Sequence, residues 1–127
     1  MNRIARVVLL AASLSLVLIA AGPSAAVGPD DGVWLVLQSN PTHGAFQYYT
    51  SVHQNGATVV LMNAYGNGAW DFGIGTRSGN TVQGVAYDAV TGVAYGTASV
   101  TLTSSTTFSG QANIGGVVWS LSGVKLF

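Results

Sequence analysis

Ala45-Phe-Gln-Tyr-Tyr-Thr-Ser-Val-His53, Gln54-Asn55-Gly56, Ala57-Thr-Val-Val-Leu-Met-Asn-Ala-Tyr65, Gly66-Asn67-Gly68 and Ala69-Trp-Asp-Phe-Gly-Ile-Gly-Thr76 form one continuous run, and its reading decides the fold. Three segments rich in β-branched and aromatic residues are separated by two short Asn/Gly turns. Strands favour such side chains, and Asn-Gly is the strongest short hairpin signal. The apolar period is two. Phe46, Tyr48, Thr50 and Val52 share one face of the first segment, and Val59, Leu61 and Tyr65 share one face of the second. In the third, Trp70, Phe72 and Ile74 oppose Asp71, Gly73 and Gly75, which places Asp71 on the more polar side.

The same punctuation extends in both directions. It predicts eight strands, over Val33–Gln38, Ala45–His53, Ala57–Tyr65, Ala69–Thr76, Thr81–Tyr87, Val93–Thr103, Thr106–Asn113 and Gly116–Leu126. No stretch shows a helical period. Strands in sequence with tight turns describe an antiparallel up-and-down meander, and a sheet of eight must close or leave aggregation-prone edges. The expected fold is therefore all-β, a small barrel wide enough for side chains or one small ligand. Gly73, Gly75, Gly84, Gly96 and Gly110 lie inside strands, where a strongly coiled barrel needs residues without Cβ.

Upstream of the barrel, Arg3 and Arg6 precede an apolar run from Val7 to Ala21, and Gly22-Pro23 breaks it before Ser24-Ala25-Ala26. This is the layout of a bacterial secretory signal, giving a cleaved segment over residues 1–26 and one domain over 27–127. The run is shorter than the ~20 residues a membrane helix needs. The expected location is secreted or periplasmic.

Charge excludes further classes. The chain has four Lys+Arg and four Asp+Glu, a formal net charge of zero, and no cysteine. Nucleic-acid binding lacks the basic stripe it requires. Thiolate metal sites and disulfides are impossible. A membrane barrel is disfavoured because the last strand, stepped back by twos from Phe127, meets Lys125 and Gly123 where a lipid-facing stripe is required.

Gly32-Val-Trp34, Asn40-Pro41, Gly44-Ala-Phe46, Gln54-Asn-Gly56, Tyr65, Trp70 and Gly79-Asn80 together resemble small secreted bacterial barrel repeats of no established activity. Those open on G-x-W, carry a Pro-x-x-Gly-x-Phe loop and place a second Trp after a glycine turn. The likeness covers Asp31 to Gly92 and departs at Gly66-Asn67-Gly68-Ala69, where Gly-x-Pro-x-Trp is the pattern. Gly32-Val33-Trp34 and Thr107-Phe-Ser-Gly110-Gln are also similar to the avidin and lipocalin class. That likeness implies an eight-stranded barrel with a tryptophan closing its bottom. The polar first-strand loop that reads biotin in avidins is missing here.

Chemistry-bearing residues are few. His43 and His53 stand ten residues apart on opposite ends of one strand, too far to share a metal, and without glutamate or cysteine no acid–base pair presents itself. The sequence thus predicts no enzyme activity, no metal and no cofactor. The aromatic residues (three Trp, five Tyr, four Phe) are the richer set. They suggest a barrel mouth that binds a small hydrophobic molecule or a carbohydrate. The expected lining is Trp34, Tyr48, Tyr65, Trp70 and Tyr95, with Asp71 or His43 as polar anchor. Two alternatives from other classes stand beside it. One is a structural protein self-associating through sheet edges, suggested by the Thr/Ser-rich, charge-free stretch from Thr97 to Ser109. The other is an inhibitor of a secreted or periplasmic enzyme.

Overall fold

The computed structural model describes residues 28–127, so the expected signal segment lies outside the described residues. Eight strands follow in order: β1 (Gly32–Asn40), β2 (Gly44–Asn55), β3 (Thr58–Ala64), β4 (Trp70–Ser78), β5 (Thr81–Asp88), β6 (Ala94–Leu102), β7 (Thr107–Ile114) and β8 (Val117–Lys125). Each pairs antiparallel with its neighbours in sequence, and β1 pairs with β8 to close the barrel. The expected fold class is the observed one. Closure has a consequence for self-association. With Trp34 opposite Lys125 and Gln38 opposite Leu121, the first and last strands satisfy each other. Pairing between copies through open sheet edges is therefore not available to the described strands.

Turn chemistry explains the tight hairpins. Asn55 pairs with Thr58, so Gly56 and Ala57 form the two-residue loop and Gly56 takes the first corner at φ 60°. The asparagine ends the strand, so the turn falls one residue later than the Asn-Gly signal implies. At Gly115-Gly116 both corners have positive φ, the conformation that matches the right-handed twist of the flanking strands.

Interior glycines let the sheet coil. A Cβ on Gly75 would meet the Gln83 carbonyl oxygen at 2.7 Å, and one on Gly84 would meet the Ile74 oxygen at 2.8 Å. These two glycines face each other across β4 and β5, so the backbones approach where side chains would hold them apart. Gly123 makes room in the same way for the Phe108 ring.

The inner faces of β2 and β3 follow the alternation read from the sequence. β4 is reversed. Asp71 and Gly73 are buried, whereas Trp70 and Ile74 lie exposed on the outer wall. Register fixes this, because Asn63 and Leu61 on the inner face of β3 pair with Asp71 and Gly73. The Leu61 side chain fills the space above Gly73, reaching to 3.0 Å of where a Cβ would stand. Apolar residues that read as core thus form an outer face.

The outer wall has two characters. Val60, Met62, Trp70 and Ile74 are exposed, and Phe72 stacks on Tyr87 with ring centroids 5.2 Å apart. On β6 to β8 the outward residues are mostly polar, Thr97, Ser99, Thr101, Ser109, Gln111, Asn113, Ser120 and Ser122, with Val118 and Val124 the apolar exceptions. A lipid-facing barrel needs an apolar band around its whole circumference, and half of this wall is hydroxyl and amide. The Trp119–Leu121–Gly123–Lys125 series faces inward, so it is not the surface a membrane would meet.

Candidate functional site

The two ends of the barrel differ. One end is plugged. Trp34 is 2% exposed, packs on Phe108 at 5.4 Å and donates its indole N–H to the Asp30 carbonyl at 3.0 Å. Arg77 reaches the same segment, with Nη1 2.6 Å from Asp30 Oδ1. The ammonium of Lys125 lies 5.8 Å over the Trp34 ring, completing the seal with a cation–π contact. Trp34, of the Gly32-Val33-Trp34 opening, thus stands at the barrel bottom.

The opposite end is an aromatic mouth. Phe46 contacts Tyr48, Tyr65 and Trp119 at centroid distances of 5.9, 6.3 and 5.7 Å, and Tyr48 lies 5.0 Å from Tyr65. His43, in the β1–β2 loop, sits 5.7 Å from the Trp119 ring. Phe46 remains 40% exposed at the rim. The interplanar angles run from 31° to 74°, so the rings make a cup and not a flat platform.

Beneath the cup, Asp71 is buried at 7% exposure and has no cationic partner among the described residues. Three neutral donors hold its carboxylate. The Asn63 amide donates to Oδ1 at 2.7 Å, the Tyr65 hydroxyl donates to Oδ2 at 2.7 Å, and the Tyr95 hydroxyl donates to Oδ2 as well. Thr50 extends the chain by donating to Asn63 Oδ1 at 2.6 Å. Tyr48 donates separately to Gln38 Oε1 at 3.2 Å. Donation to a buried carboxylate is the stronger kind of hydrogen bond. Burial, followed by the bond to Asp71, pushes the Tyr65 and Tyr95 hydroxyls above the ordinary phenol range; for Tyr48 burial leads and the Asp71 charge adds to it. All three stay protonated at neutral pH.

Tyr95 owes its position to a bulge. Ala86 pairs with Gly96 and Tyr87 with Ala94, leaving Tyr95 as an extra residue in β6. Strict alternation would turn it outward, since Gly96 already faces in. The bulge re-aims it toward Asp71.

Between mouth and plug lies a cavity of about 160 Å³. Tyr48, Tyr65 and Tyr95 line its upper part, Trp34 and Phe108 its lower part, and Val36, Leu61, Ala98 and Leu121 its walls. A cavity of roughly 150 Å³ with apolar walls holds benzene.

Of the residues the sequence singled out, Tyr65, Asp71 and Tyr95 come together in one hydrogen-bond network at the mouth, Tyr48 joins them by packing its ring on Tyr65, and His43 stands on the rim. Trp34 lies at the other end, as floor. Trp70 does not join the site. It is 52% exposed on the outer wall, because β4 turns its inner face the other way. Phe46 and Trp119 belong to the mouth but were not among the expected lining residues. Trp119 shares a face with Leu121, yet its meeting with Phe46 depends on β1 bringing β2 and β8 together. His53 lies on the outer wall, 3.5 Å from Asp31 and away from Asp71.

No family model and no curated protein matches the chain. Solved structures share its architecture, two of them redesigned beta barrels. One, described as a redesigned beta barrel, mFAP1, bound to DFHBI, aligns with a TM-score of 0.58 at 16% identity, covering 76% of this chain and 94% of the other. A second, a redesigned beta barrel named b11L5F_LGL, aligns with a TM-score of 0.57 at 17% identity, covering 75% of this chain and 88% of the other. At such identity the likeness is one of fold.

Proposed function

We propose that the protein is a non-enzymatic binding module, secreted by a bacterium, that takes a small apolar molecule through the aromatic mouth into the barrel. The observation that carries this reading is the apolar cavity of about 160 Å³ beneath a cup of tilted aromatic rings. Preformed concave sites of mostly apolar lining with a few converging polar groups are the usual form of small-molecule pockets. A barrel of the same architecture, mFAP1, is described bound to DFHBI, which supports the capacity of such an interior to hold a ligand. A carbohydrate fits less well. Sugars favour open aromatic platforms flanked by many hydrogen-bonding groups, whereas these rings lean on one another. Titration with neutral benzene-sized probes such as toluene, followed by thermal unfolding and tryptophan fluorescence, tests the reading. A rise in Tm that disappears in Ala98→Leu, which fills the cavity, supports it; no shift with any neutral probe removes it.

A second reading rests on the outer wall. Val60, Ile74 and Val85 form one lateral row across β3 to β5, and Met62, Phe72 and Tyr87 form the next, with Trp70 beside them. No charged side chain interrupts these rows. Soluble monomers rarely leave contiguous apolar patches of more than a few hundred Å². The occupant that matches a charge-free apolar sheet face is a second copy of it, packed face to face. This is self-association by faces, in place of the sheet edges that closure removes. Sedimentation velocity, with Trp70→Ser and Met62→Ser as interface variants, distinguishes dimer from monomer.

A further inference from the structure

The polar groups of the mouth all point the same way. Thr50 donates to Asn63, Asn63 to Asp71, and Tyr65 and Tyr95 both to Asp71, while Tyr48 donates to Gln38. A hydroxyl has one proton. With that proton committed to the network, the oxygens of Tyr48, Tyr65 and Tyr95 can offer only lone pairs to anything that enters. The Gln38 amide nitrogen and the second N–H of the Asn63 amide are the exceptions among these groups.

Two further observations have the same sign. At the floor, Asp30 lines the cavity, and its buried Oδ2 has no hydrogen-bond partner among the described residues. An orphaned carboxylate oxygen is costly unless a donor reaches it. Charge is also divided between the two ends. Arg77 and Lys125 at the plugged end are balanced there by Asp30 and Asp31, whereas Asp71 and its ladder partner Asp88 stand at the mouth with no Lys or Arg beside them among the described residues. The electron-rich faces of Phe46, Tyr48, Tyr65 and Trp119 add the ring quadrupoles that attract cations.

We propose that the mouth and cavity bind an organic ammonium ion with a compact apolar body, the ammonium held by the Tyr65 and Tyr95 oxygens in front of Asp71 and the body filling the cavity. This rests on the reading of the barrel as a small-molecule binder and adds the charge and hydrogen-bonding class of the ligand. Asp71 acts through the two tyrosines, which screen it from direct contact and relay its charge. An anion of the same shape would face filled acceptors and two carboxylates. A neutral molecule would gain the cavity but leave the acceptors without a strong donor.

Isothermal titration of the protein at pH 7 with 2-phenylethylammonium, 2-phenylethanol and phenylacetate tests this, because the three differ mainly in head group. The expected order is ammonium over alcohol by a factor of about ten or more, with phenylacetate weakest. Asp71→Asn and Tyr95→Phe are both expected to erase the preference while alcohol binding persists. Tyr95→Phe keeps the test decisive if Asp71→Asn fails to fold, which circular dichroism would reveal. Equal affinity for ammonium and alcohol overturns the charge proposal but leaves the binding module intact, as does tightest binding of phenylacetate. Failure of all three probes overturns both.

Discussion

Asn63 and Asp71 face each other across the β3–β4 ladder, and the Asn63 amide donates to Asp71 Oδ1 at 2.7 Å inside the barrel. This pair fixes the inner face of β4. It also anchors the carboxylate on which Tyr65 and Tyr95 converge. One register position thus links strand orientation to the chemistry of the mouth.

Removing that carboxylate orphans its donors. In Asp71→Ala, the Asn63 amide and two tyrosine hydroxyls lose their acceptor in a half-dry interior. The expected loss of stability is about 2–4 kcal/mol, in line with unmade bonds to a buried charged group. Urea denaturation measures it, and a change below about 0.5 kcal/mol would show the network to be incidental.

The plug is expected to matter as much. Trp34→Ala removes the indole from Phe108, ends the hydrogen bond to the Asp30 carbonyl and opens the barrel bottom. Large-to-small changes of a buried tryptophan cost about 3–5 kcal/mol. Trp34→Phe should recover part of that through packing, but not the hydrogen bond. Equal stability of the Ala and Phe variants would contradict the plug.

Two glycine substitutions should have opposite signs. At Gly75 a Cβ would stand 2.7 Å from the Gln83 carbonyl oxygen, in backbone that cannot move without opening the β4–β5 ladder. Gly75→Ala is expected to destabilise by about 1–3 kcal/mol. At Gly66 nothing lies within 4 Å and φ is not left-handed. Gly66→Ala should be neutral or stabilising by up to about 1 kcal/mol, because it restricts the unfolded chain. Paired thermal melts read both.

Acid should loosen the plugged end through Asp31. Its carboxylate accepts the Gly28 N–H at 2.9 Å and the Gln54 N–H, and these backbone bonds hold it below the ordinary Asp range, with smaller help from His53 and Lys125. A carboxylate with a depressed folded value stabilises the fold above its unfolded value, near 3.8, and loses that contribution as pH falls through the lowered one. Unfolding followed from pH 6 to pH 2 should therefore show a steeper acid limb in the wild type than in Asp31→Asn. Identical slopes would remove Asp31 from the account.

The strands and their closure were legible because period-two alternation and Asn/Gly turns are local signals, each contained within a hairpin. The inner face of β4 was not. Trp70, Phe72 and Ile74 alternate with Asp71, Gly73 and Gly75, and strand chemistry alone assigns the apolar set to the core. What reverses it is a steric relation to the neighbouring strand, where Leu61 needs the space that Gly73 leaves. Tyr48, Tyr65 and Tyr95 were identifiable as mouth aromatics. Trp119 was not, since Phe46 and Trp119 meet only after the ends of the chain are joined. The bulge at Tyr95 has no spacing signature either, because Tyr95-Gly96 reads as ordinary strand.

Trp70 provides the sharpest separation between the sequence and the structure. Were it part of the mouth, Trp70→Ser would weaken ligand binding and leave oligomeric state unchanged. The structure places it on the outer wall, 52% exposed, beside the Phe72–Tyr87 stack. The expected outcome is the converse. Affinity for 2-phenylethanol should stay within about twofold of wild type, since no ring of the cup is touched. Iodide should quench Trp70 in the monomer far more readily than Trp34, which is 2% exposed. If two outer faces pack together, raising the protein concentration should protect Trp70 from iodide, and Met62→Ser should restore quenching. Protection of Trp70 by ligand at a concentration where the protein is monomeric would return it to the binding site.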